Sequence, residues 1–233
     1  MYRNLSPHQI VGTSETIRRR IAERFPASGL SQVAGEVSEV AGEAAALYQW
    51  LARPNIPFRI LAGLGIAAIV AVVAAAVAAI DVHVGFSGLG DLLQGLEAAI
   101  NEVIFLGIAV YFFLTLETRR KRTRVLKAIH ALRSLAHIID MHQLTKDPDR
   151  LTSPVSDTGS SPVRTLTAPQ LNRYLDYCTE LLAVLSKVAA LYVQEFHDPV
   201  SLAAVNDIEE LASGLSRKIW QKIVILDRMI APA

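Results

Sequence analysis

From Ile60 to Ile80 the chain carries no charge, and its residues are Ile, Leu, Val, Ala and Gly. A helix rises about 1.5 Å per residue, so this run reaches across a hydrocarbon layer roughly 30 Å thick. A second apolar run, Val103 to Leu116, is followed by Glu117-Thr118-Arg119-Arg120-Lys121-Arg122. At about 1.5 Å per residue its uncharged part covers only roughly 21 Å, too little for a crossing. That helix is therefore expected to extend backwards past Glu102 and Asn101 to Gly88 or Gly90. The pattern predicts a transmembrane hairpin over 57–118: one crossing at about 58–80, an external amphipathic stretch at 81–97, and a second crossing at about 98–118.

The net charge of +1 conceals a regional asymmetry. Between Ile60 and Glu102 the only charges are Asp81, Asp91, Glu97 and Glu102, whereas five of the six residues from Arg119 to Arg124 are basic. Arg53 and Arg59 flank the other end of the first crossing. Basic residues stay on the cytoplasmic side of short loops, so both termini are expected in the cytoplasm. The expected location is the cell membrane, the inner membrane if the chain is bacterial. Residues 1–31 are polar, contain Arg18-Arg19-Arg20 and lack the apolar core of a signal peptide, so the first crossing is expected to direct insertion. The one cysteine, Cys178, has no partner for an intrachain disulfide and reads as a small core residue.

Outside the hairpin the periodicity is helical. Thr13-Ser14-Glu15 reads as a helix start and Pro26 as its close. Over 31–52, Val33, Val37, Val40, Ala44, Leu47 and Leu51 step by fours and threes, the seam of a helix packed on a partner. Val125, Ile129, Leu132, Ala136 and Ile139 continue the second crossing into the cytoplasm to about Gln143. Residues 145–167 hold three prolines and no periodicity and read as a mobile loop. Two more helices follow. One has the stripe Leu171, Tyr174, Cys178, Leu182, Leu185, Ala189, Tyr192 and Phe196. The other has Val205, Ile208, Ala212, Leu215, Ile219, Leu226 and Ile230, with Asp198 at its cap and Pro199 in its first turn. The predicted fold is an all-α membrane protein in which N-terminal helices (1–56) and C-terminal helices (119–233) form a cytoplasmic helical bundle.

No catalytic motif stands out, and the candidate sites are of other kinds. Glu102, with Glu97 and Asp91, sits within or beside an apolar slab, where carboxylates mark ion paths; in an oligomer the three would ring an outer vestibule. Arg119, Arg120, Lys121, Arg122 and Arg124 suit anionic lipid headgroups as well as a plain stop-transfer anchor. Gly63, Ala67, Ala71, Ala75 and Ala79 recur at every fourth position and form a smooth stripe for helix packing, its natural first partner being the second crossing. His130, His137 and Asp140 make a weak metal-ligand pattern that matches no compact zinc motif. No cofactor is expected.

The chain thus reads as a non-enzymatic, homo-oligomeric scaffold or complex subunit. Its expected partners are copies of itself, a bilayer with anionic headgroups and a cytoplasmic protein, with no nucleic acid. An oligomeric cation channel lined by the second crossing is the alternative, and a metal-dependent activity at 130–142 a third reading.

Overall fold

The computed structural model describes residues 4–79, 89–148, 159–161 and 165–230, and every regular element among them is a helix. In chain order these are α1 (Pro7–Arg24), α2 (Gly29–Ala52), α3 (Ile56–Ala79), α4 (Leu89–Leu144), α5 (Ala168–Gln194) and α6 (Pro199–Ile230). Residues 81–88 of the expected external stretch at 81–97, and most of the expected mobile loop, lie outside the described residues. The chain divides into two compact units, Met1–Arg53 with Arg122–Ala233, and Pro54–Lys121.

The first unit is a helical bundle built around α5. Thirteen α5 residues are buried, including Leu175, Leu181, Val184, Val188 and Leu191, which lie off the single predicted stripe. A helix buried on so much of its circumference is a central one, and α5 packs on α1, α2 and α6. The stripes read from the sequence are the faces that close on it: Val125, Ile129, Leu132, Ala136 and Ile139 of α4 are all buried, as are Val205, Ile208, Ala212, Leu215, Ile219 and Leu226 of α6. On α2, Val33, Val37, Ala44 and Leu51 are buried and Val40 and Leu47 partly so, joined by Leu30, Ala34 and Ala41.

Helix α1 starts earlier than its sequence signals suggest. Ser6 precedes it and Pro7 takes the first turn, where a missing N–H costs nothing. Thr13 does not cap the helix; its hydroxyl donates to the Gln9 carbonyl one turn back. Phe25 ends the helix with its ring edge-on to Tyr174 at 5.5 Å and to Tyr177 at 6.3 Å. The turn into α2 places Ala27 at φ 54°, in the left-handed region that suits glycine. Ser28 then caps α2 by accepting from the Ser31 N–H at 3.1 Å.

Two polar ties close the bundle. Asp198 caps α6, its Oδ2 accepting from the Ser201 N–H and hydroxyl, each at 2.9 Å, and Arg122 donates to both its oxygens. At the other end of α4, the Lys222 ammonium donates to the carbonyls of Gln143 and Lys146 and to Gln143 Oε1. A cation on the last carbonyls of a helix satisfies acceptors that have no intrahelical donor and meets the negative end of the dipole.

In the second unit α3 and the first part of α4 are long and apolar enough to cross a membrane, and none of the most apolar window of either is buried. Leu64, Val70, Val72 and Val77 of α3 are exposed, as are Val103, Phe105, Ile108 and Leu114 of α4. Helix α4 starts at Leu89 and runs unbroken to Leu144, close to both expected limits.

Candidate functional site

The carboxylates expected near the outer end of the second crossing lie on α4. Glu97 and Glu102 are exposed, and no hydrogen bond or ion pair involves either among the described residues. The side chain of Asp91 lies outside the described residues.

The expected packing stripe lies on the open side of α3. Gly63, Ala67, Ala71 and Ala75 are exposed, and a side chain added at Gly63 would meet nothing within 4 Å; the side chain of Ala79 lies outside the described residues. Ala62, Gly65, Ile66, Ile69 and Val73 of α3 are partly covered. At Gly65 an added Cβ would sit 2.5 Å from the Phe113 ring, so absence of a side chain is what admits that ring. The large ring takes the glycine with the most room opposite it, and the alanine stripe is left outward.

The basic run also behaves differently from a single cationic patch. Consecutive residues turn about 100° around a helix, so a run of basic side chains fans out around the axis. Within the hairpin unit, Glu117 is the hub: it accepts from the Asn55 N–H, from Arg59 Nε and from Lys121 Nζ, all at 3.0 Å. Arg120 lies over the Phe58 ring at 4.8 Å and Arg119 over Phe112 at 5.7 Å. In the bundle unit Arg122 is committed to Asp198, and Arg124 stacks on Trp50 at 4.7 Å. Lys121 and Arg122, expected at headgroups, thus hold carboxylates inside the fold, because Glu117 lies one turn before Lys121 and because α6 brings Asp198 to Arg122.

The histidine pattern is not drawn together. His130 and His137 are exposed, Asp140 accepts from Gln143 Nε2 at 2.6 Å, and no group of three His, Cys, Asp or Glu side chains able to hold a metal occurs among the described residues. Cys178 is fully buried and burial pushes its thiol up to about 12.

The most distinctive concavity was not foreseen. A groove of about 500 Å³ opens in the bundle where α2, α4 and α5 meet, lined by Glu43, Leu47, Trp50, Arg124, Lys127 and Tyr192, with Ala46, Ala128 and Ala131 between them. Tyr192 is 1% exposed, and its hydroxyl has no hydrogen-bond partner among the described residues. Burial raises that phenol's pKa, and the charge of Glu43 raises it further, so it remains a donor. Lys127 and Glu43 are exposed, with neither a hydrogen bond nor an ion pair among the described residues. From the sequence, Tyr192 read as part of a helical stripe; only the packing of three helices distant in sequence brings it to Glu43, Arg124 and Lys127. A second groove, of about 720 Å³, lies along α1 and α5 and includes Thr13, Arg20, Glu180 and Lys187.

Comparison with known proteins finds no matching family, no matching curated protein and no matching solved structure.

Proposed function

We propose that this chain is a non-enzymatic integral membrane protein, a homo-oligomeric scaffold or membrane-complex subunit. In this reading α3 and the N-terminal part of α4 cross the bilayer, and the bundle of α1, α2, α5, α6 and the end of α4 lies in the cytoplasm. The observation that carries it is the wholly unburied apolar surface of both spanning candidates. A soluble protein rarely exposes so much contiguous apolar area, and in lipid the same side chains cost nothing. Charge sets the orientation: the basic residues at 119–124 and at Arg53 and Arg59 lie at the ends of the spans facing the bundle in sequence, and the acidic residues at the other ends.

Self-association rests on the outward alanine line. Gly63, Ala67, Ala71 and Ala75 are exposed, and small residues every fourth position admit close approach of another helix. The test is the mass of the detergent-solubilised particle, corrected for bound detergent. The expected result is a multimer of the 25.4 kDa chain; a monomer at micromolar concentration would contradict it.

The channel reading has one observation of its own: Glu97 and Glu102 are exposed and unpartnered among the described residues. In that reading α4 lines a pore with Glu102 near its outer mouth. Protein reconstituted in planar bilayers would then pass cation current that falls on Glu102→Gln. A silent bilayer with the multimer intact favours the scaffold.

A further inference from the structure

We propose that the groove between α2, α4 and α5 is a binding site for the phosphodiester headgroup of an anionic phospholipid. Four observations meet there. Arg124 and Lys127 stand on one side of α4, three residues apart and therefore on adjacent positions of one face. The Arg124 guanidinium lies over the Trp50 indole, 4.7 Å from its centroid. A cation over a ring face is held by the ring's negative face and keeps N–H donors for an oxyanion. Lys127 has no carboxylate partner among the described residues. Tyr192, 1% exposed as a residue, lines the groove, and its hydroxyl has no acceptor among the described residues.

The Tyr192 hydroxyl therefore presents its proton to the groove with no acceptor among the described residues. An oxyanion held by Arg124 and Lys127 would provide that acceptor. Two cations stand against one carboxylate, Glu43, so the balance favours a singly charged anion, and the apolar floor of Leu47, Ala128 and Ala131 accepts glycerol or the start of an acyl chain. Soluble phosphate esters share this chemistry. The lipid is favoured because Trp50 and Arg124 adjoin the two apolar spans in sequence, and tryptophan and basic residues concentrate at the headgroup level. The choice of lipid as the source rests on the membrane reading above; the anion site itself does not.

Trp50 is its own reporter. The chain has two tryptophans, and Trp220 is 61% exposed on α6, so Trp220→Phe leaves Trp50 as the sole emitter without disturbing the core. Full-length protein in neutral detergent would be titrated with short-chain phosphatidylglycerol, short-chain phosphatidylcholine and glycerol 3-phosphate. The expected result is a saturable change in Trp50 emission with phosphatidylglycerol at concentrations where the other two give none. Lys127→Gln, at an exposed position, should weaken it about tenfold. Tyr192→Phe should weaken it several-fold, and Glu43→Gln should tighten it. Equal binding of glycerol 3-phosphate would overturn the lipid assignment. No saturable change with any probe, or affinities indifferent to Lys127→Gln and Glu43→Gln, would overturn the site. If the chain proves to disperse in buffer without detergent, the membrane reading fails while a response to glycerol 3-phosphate still reports the anion site, so the two failures are distinguishable.

Discussion

Asp198 has its carboxylate divided between Arg122 and the first turn of α6, so two elements depend on one charge. Burial raises its pKa, but the Arg122 guanidinium and the Ser201 donors outweigh burial and leave it below the ordinary carboxylate value. The folded state therefore releases this proton more readily than the unfolded chain. Its contribution is full above an unfolded pKa of about 3.9 and fades as pH falls through the lower folded value. Asp198→Ala loses a cap and its pair with Arg122, which should cost roughly 3 kcal/mol, at the low end for a broken buried pair because Arg122 retains water contact. Thermal melts of Asp198→Asn at pH 7 should lie well below the native chain and converge on it in acid; equal melts at pH 7 would contradict this account of the tie. Cys178 gives a second check at this scale. A thiol that is fully buried and pushed up to about 12 offers almost no thiolate. Iodoacetamide should therefore leave it unmodified in folded protein and alkylate it once denaturant opens the bundle.

Two backbone positions in the element between Arg24 and Ala52 are filled by the less suitable residue. Gly42 lies in the interior of α2 on an exposed face, and a Cβ there meets nothing within 4 Å. Gly42→Ala should stabilise the bundle by about 0.5–1 kcal/mol, from helix propensity and a less disordered unfolded chain. Ala27 has the opposite problem, an L side chain at φ 54°. Ala27→Gly relieves about 1–2 kcal/mol of left-handed cost and returns part of it as unfolded-state entropy, leaving a gain of about 0.5 kcal/mol. Both are read as midpoint shifts in denaturant titration. In the hairpin, Gly65→Leu should drive Phe113 out of its place and separate α3 from α4, whereas Gly63→Leu meets open space within the chain. A cysteine-crosslinking series along the two helices would detect the separation in the first variant only.

At the scale of the whole molecule, the helices were legible because each hides one face. The stripes of α2, α4, α5 and α6 follow from the 3.6-residue period alone, and so did the passage of α4 from apolar to basic without a break. Less legible was everything that depends on which neighbour a face meets. That α5 is central follows from residues such as Leu181 and Val188, which a single-stripe reading assigns to no face. That Gly65 rather than Gly63 meets α4 depends on the size of Phe113 opposite. Lys121 and Arg122 looked available because a string of cations shows neither Glu117 one turn back nor Asp198 on a distant helix. The Tyr192 groove had no signal in the string at all, since its lining comes from three separate segments.

The central claim is that lipid is the solvent around α3 and the first part of α4. It is tested most directly by washing membranes from expressing cells with alkaline carbonate and following the chain. The account predicts that it stays in the sedimented membrane and is released only by detergent. Recovery in the supernatant, as a particle that remains monodisperse in surfactant-free buffer, would contradict it.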